Sequence, residues 1–193
     1  MSGQPHMKLR QGLKEQYHAA LAMLAECVEK CPEAMWLEGK HPRTFFRIVF
    51  HAAFFTHVGM GQNEAAFQLQ PWPRRREGIH PGLWEDPAYV EPYELPEGAE
   101  SYGRNEMRDY LRFVDGLVDP TVDQLDLDSD ETGFRWAPNI SKLSQQLQNL
   151  RHLQGHVGQL SELLMARGID TDWVGKSEGL SSPGQSAGSP GAP

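Results

Sequence analysis

The sequence predicts an all-α protein, a four-helix bundle with a long crossover between its second and third helices. Three observations carry this. Four segments repeat their apolar residues at helical spacing, strand signal is almost absent, and one proline-rich stretch divides the second segment from the third.

The first helix is expected over residues 7–30. Leu9, Leu13, Tyr17, Leu21, Leu24 and Val28 recur at intervals of three and four, and Pro32 stops the run. The second is expected from about Pro42 or Arg43 to Met60, with Gly61 as its stop. Residues 70–101 carry Pro71, Pro73, Pro81, Pro87, Pro92 and Pro96 with four interspersed aromatics, Trp72, Trp84, Tyr89 and Tyr93. No steady period survives so many prolines, and the segment reads as an ordered crossover that covers part of a site.

The third helix is expected over about 102–117, with Met107, Tyr110, Leu111, Phe113, Val114 and Leu117 on its apolar face. Pro120 ends it or begins a short extension. Residues 119–138 are acidic and turn-like, with a short hairpin expected around Asp130–Trp136. The fourth helix is expected from about Asn139 to Arg167, closed by Gly168. Residues 1–176 form one domain in this reading, and 177–193, rich in Gly, Ser and Pro, form a disordered tail.

The chain has 193 residues and a formal net charge of −8. That acidity argues against nucleic acid and anionic membranes, which reward clustered Lys and Arg. The one basic run, Arg74–Arg76, reads as a solvated loop. Phe45–Met60 is the most apolar stretch, and it is too short and too polar to span a bilayer, which takes ~20 apolar residues. The N-terminus has no apolar leader core, so a cytoplasmic protein is expected. Cys27 and Cys31, the only cysteines, share a helix face and read as reduced, half-buried thiols.

The informative stretch is NLRHLQGHVGQL, residues 149–160. Leu143, Leu147, Leu150, Leu153, Val157, Leu160 and Leu164 form the expected core stripe of the fourth helix. Beside it runs a second stripe, Gln145, Asn149, His152, His156 and Gln159, spaced four, three, four, three. A solvated face would carry Lys and Glu; neutral amides and imidazoles suit a pocket wall. His152 and His156 lie one turn apart, ~6 Å along the axis, so both rings can lean toward one point. They read either as ordinary helix histidines or as two ligands of one metal ion.

On the second helix His51 falls within the arc of Phe45, Ile48, Phe55 and Val58, where it would meet the pair. Three imidazoles from two helices make an open site, because structural zinc sites are usually closed by four protein ligands. His57 is six residues on, about 240° around the wheel, and points elsewhere. Glu15 and His18 form one ExxH, but a di-metal carboxylate bundle needs two such motifs and more glutamates. A zinc-protease helix needs Glu after its first histidine, where this chain has Leu153. Gly155 and Gly158 lie outside both stripes and suggest close approach by another helix, within the chain or across a dimer.

RIVFHAAFFTHVGM on the second helix, NLRHLQGHVGQL on the fourth and TDWVGK beyond it resemble the DinB/YfiT-like superfamily, over roughly residues 8–175. The resemblance implies a four-helix bundle that forms homodimers and holds one divalent metal ion on three histidines, by position His51, His152 and His156. Three imidazoles suit Zn or Ni first and Fe or Cu next, and a small-molecule substrate is expected. Some relatives join a low-molecular-weight thiol cosubstrate to an electrophile, so the expected function is a metal-dependent thiol S-transferase. A metal-dependent hydrolase and a non-enzymatic small-molecule sensor are the alternatives. Gln145, Asn149 and Gln159 are the candidates to support the metal ligands or touch substrate. Neither histidine motif supplies an obvious general base.

Overall fold

The computed structural model describes residues 4–40, 43–67 and 101–180. Among them the regular elements are helical and there is no strand. They are α1 (Gln4–Lys30), α2 (Glu33–Trp36), α3 (Phe45–Met60), a 3-10 turn (Glu64–Ala66), α4 (Arg104–Gly116), α5 (Val118–Gln124) and α6 (Lys142–Met165). The proline-rich stretch expected as a crossover, with Arg74–Arg76 in it, lies outside the described residues.

Every residue of α3 except Phe55 is buried. Such a helix has no polar face to offer water, so it packs on several sides at once: α6 and α4 both lie against it, and α1 packs against α6 and α4 in turn. The expected face of α1 is the observed one, with Tyr17, Leu21, Leu24 and Val28 fully buried. Met107, Leu111 and Val114 of α4 are buried equally. Thr44 caps α3 by accepting from the Arg47 amide at 3.4 Å, and Ser141 caps α6 by accepting from the Ser144 amide at 3.2 Å. Gly168, at φ +73°, turns the chain out of α6. Pro120 sits in the first turn of α5, the short extension foreseen.

Three expectations are corrected. Asp130–Trp136 forms no hairpin; it is a run of turns. Gly133, at φ +75°, lies so close to α3's exit that a Cβ there would stand 2.6 Å from the Gln62 carbonyl oxygen. The core stripe of α6 is apolar only in its second half, where Leu153, Val157, Leu160 and Leu164 are fully buried. Its first half turns Lys142, Gln145, Gln146 and Asn149 inward and leaves Leu147 53% exposed. Finally, a Cβ at Gly155 or Gly158 would meet nothing within 4 Å, so no helix of this chain among the described residues approaches them closely.

His57 does point away from His51. Its Nδ1 lies 3.2 Å from the Tyr110 hydroxyl, and its ring is wedged among Phe67, Phe113 and Tyr110. Burial pushes its pKa down to about 4 from an ordinary 6.5. The stability tied to this neutral ring is therefore complete above pH 6.5 and is lost as pH falls through 4. The His57 contribution is about 3 kcal/mol over that window, so His57→Phe should lose less stability than wild type between pH 7 and 4.5 in urea titrations.

His18 makes no metal motif with Glu15. Its Nδ1 meets Asp115 Oδ1 at 2.7 Å, and the other Asp115 oxygen accepts from the Leu180 amide at 2.7 Å. Ser177–Leu180, the start of the expected tail, are thus seated on α4; residues 181–193 lie outside the described residues. No helix among the described residues is long and apolar enough to cross a membrane.

Candidate metal centre

The structure brings His51 of α3 together with His152 and His156 of α6. His152 Nε2 lies 3.0 Å from His51 Nε2 and 3.0 Å from His156 Nε2. One ring nitrogen from each residue falls within 4.8 Å of the other two, a group that can hold a metal ion. His51 and His156 are buried and His152 is half-buried. The His51 ring rests on Phe55, one turn along α3, at 4.6 Å between centroids.

The proton positions fit a cation at this point. His156 Nδ1 donates to Gln159 Oε1 at 3.0 Å, which leaves the lone pair on Nε2. Burial, then the neighbouring His156 and His51, push the His152 pKa down to about 3, so this ring is neutral at physiological pH, as a ligand must be. A ring N–H points in one direction, so His152 Nε2 cannot make a full hydrogen bond to both of its neighbours. Imidazoles that share one zinc ion at ~2.0–2.1 Å have nitrogens ~3.3 Å apart, close to the 3.0 Å that separates His152 Nε2 from each of its two neighbours.

Gln145 and Asn149 do not touch the rings. Gln145 Nε2 donates to the Gly59 carbonyl at 2.7 Å, and Asn149 Nδ2 donates to the Thr56 carbonyl at 3.2 Å and the Tyr17 hydroxyl at 3.1 Å. Gln146 Nε2 reaches the Gly59 and Met60 carbonyls, and the Tyr17 hydroxyl donates to Gln146 Oε1 at 2.8 Å. These amides take up the carbonyls left open where α3 ends, and so fix the register of α6 against α3 that aligns His152 and His156 with His51. Gly59 makes room for this: a Cβ there would press on the Asn149 amide at 3.0 Å.

No family model matches this chain, and no curated protein or solved structure matches it. The geometry of the centre therefore carries the functional reading.

A cleft of about 150 Å³ opens beside His152, lined by Phe55, Gly59, Trp136, Gln145, Gln148 and Asn149. Gln145 and Asn149 thus serve both as ties between helices and as cleft wall, while Gln159 orients His156. Sequence reasoning missed Trp136, Gln146, Tyr17 and Lys142 as parts of this architecture. Tyr17 left a usable signal: a tyrosine in an apolar stripe needs a partner for its hydroxyl. Both cysteines are buried and free, and neither lies at the centre. Cys27 Sγ is 3.7 Å from Ser161 Oγ; burial raises the Cys31 thiol to about 11 and raises Cys27 also.

Proposed function

We propose that the chain is a metal-dependent thiol S-transferase of the DinB/YfiT-like type, a four-helix bundle of α1, α3, α4 and α6 with its proline-rich stretch as crossover. The observation that carries this reading is the convergence of three imidazole nitrogens from two helices. One divalent ion, Zn or Ni first and Fe or Cu next, would sit on His51, His152 and His156. When bound, it supplies positive charge that favours the thiolate form of an incoming thiol.

The chain's own groups do the rest. Gln159 holds His156 in the ligating tautomer. Phe55 and Trp136 give the cleft beside His152 apolar walls. No carboxylate lines that cleft among the described residues, so nothing there acts as a general base. A thiol with pKa ~8.5 ionises near neutrality without one, whereas water needs far more help, which favours thiol transfer over hydrolysis. With Cys27 and Cys31 buried elsewhere, the thiol comes from a small cosubstrate. Its sulfur attacks an electrophilic carbon, a C–S bond forms, the leaving group departs with its electron pair, and the thiol proton passes to solvent.

A panel of low-molecular-weight thiols and electrophiles tests this reading. Turnover that needs added metal and is lost in His156→Ala supports it. Tight ligand binding with no turnover supports the sensor instead.

The centre would work in a homodimer built on α6. Arg151, Gly155, Gly158 and Glu162 share an exposed face of that helix, with Leu147 and Met165, 53% and 56% exposed, near its ends. Antiparallel pairing about the midpoint of 156 and 157 sets each Gly155 against the partner's Gly158 and each Arg151 against the partner's Glu162. Arg151→Glu should shift the mass seen by light scattering toward monomer. Adding Glu162→Arg should restore the dimer.

A further inference from the structure

A second cavity lies on the other side of α3, between the exit of that helix, the 3-10 turn and α5. Its volume is about 330 Å³, within the range of small-molecule pockets. The walls are largely apolar, with Val58, Met60, Phe67, Leu117 and Leu125 prominent, and Gln62, Thr121 and Gln124 supply neutral polar atoms. His57 also lines it. Six residues after His51, it stands about 240° around α3 and ~9 Å along it, so this cavity is separate from the metal centre.

His57 gives the cavity its one buried imidazole. The residue is 9% exposed, its Nδ1 is engaged by the Tyr110 hydroxyl, and among the described residues its Nε2 has no hydrogen-bond partner. Three aromatic rings pack around it, Phe67 at 4.8 Å, Phe113 at 5.4 Å and Tyr110 at 6.0 Å between centroids, so the imidazole is held in place before any ligand arrives. That nitrogen is not sealed from solvent, so a ligand group that reproduces water's hydrogen bond can take its place there.

We propose that this cavity is a second ligand site, for a small, uncharged, mostly apolar molecule bearing a hydroxyl group, such as a phenol. Among the described residues no lining side chain is charged, so an ionised ligand would be desolvated without a counter-charge from them. A hydroxyl both donates and accepts, and so pairs with His57 Nε2 in either tautomer. The flat apolar remainder of the molecule lies against Phe67, Met60 and Leu117. The site does not depend on the metal or on thiol transfer.

The test uses 2-naphthol as the probe and naphthalene as its counterpart without a hydroxyl, with the full-length protein. Calorimetry measures affinity, and nitrogen NMR of the imidazoles reports which ring the probe touches. One equivalent of 2-naphthol should bind, move the His57 Nε2 signal and leave that of His152 in place. Naphthalene should bind at least about tenfold more weakly, as should 2-naphthol to His57→Phe. Thr121→Phe fills the cavity from its half-exposed rim with His57 intact, and it should abolish binding. That variant keeps the test decisive should His57→Phe fail to fold. The proposal is overturned by the absence of saturable binding, by equal affinity for naphthalene, by binding that survives Thr121→Phe, or by a shift confined to His152.

Discussion

Alanine at position 152 should leave the protein folded and empty of metal. Elemental analysis of wild type is expected to give about one divalent ion per chain, and His152→Ala less than about a tenth of that, because losing a first ligand costs more than the 10–100-fold attached to a supporting residue. His152 is the cleanest of the three to replace. It is half-buried, whereas His51 is 2% exposed beneath Phe55, so His51→Ala combines metal loss with a cavity. Circular dichroism should show unchanged helix content. Wild type that carries no ion, and takes up none from Zn²⁺ or Ni²⁺ solutions, would remove the metal-centred function altogether.

Lys142→Met should have the opposite signature, a large loss of stability with the metal ligands untouched. Lys142 is fully buried. Its Nζ donates to the carbonyls of Thr132 and Gly61, reaches Gln145 Oε1 at 3.4 Å, and lies 4.6 Å from the centre of the Phe134 ring. Burial lowers its pKa to about 8; the oxygens and the ring face are what make a buried ammonium tolerable. Methionine keeps the stem and leaves the buried Thr132 carbonyl and the half-buried Gly61 carbonyl without this donor, a cost of about 2–4 kcal/mol. A lower urea midpoint measures it. The loop that Lys142 ties down carries Trp136, so the variant's tryptophan emission should also shift, and ligand affinity at the cleft should fall while metal content holds. An unchanged midpoint would mean that water replaces the ammonium at no cost.

The sequence made the helices legible because each carries its own signal. The α1 stripe, Thr44 before α3 and Gly168 after α6 are local features, and helical period plus caps locates them within a few residues. The convergence of His51 with His152 and His156 was legible because two wheels placed imidazoles toward a common core. The first half of α6 was not. Periodicity favoured Leu143, Leu147 and Leu150, yet the buried residues there are Lys142, Gln145, Gln146 and Asn149. The amides among them reach carbonyls at the end of α3 and a hydroxyl on α1, 86 to 132 residues away. A polar group becomes a core residue only when such partners exist, and no local pattern reports that. The hairpin expectation failed for a related reason. Gly133 and Phe134 turn to meet α3 and Lys142, a tertiary demand that overrides local alternation.

The histidines at the centre are close on one helix and remote across two: His152 and His156 are four residues apart, while His51 and His152 are separated by 101. An ion held by all three would rivet distant parts of the chain and close a loop containing α4 and α5. A permanent cross-link over ~100 residues is worth on the order of 5 kcal/mol in chain entropy. A metal rivet is reversible, so its strength follows supply, about 2.7 kcal/mol when free ion stands at a hundred times its dissociation constant. The lifetime of this protein against proteolysis would then rise and fall with the metal available to it, and its abundance would register metal supply independently of any reaction at the centre.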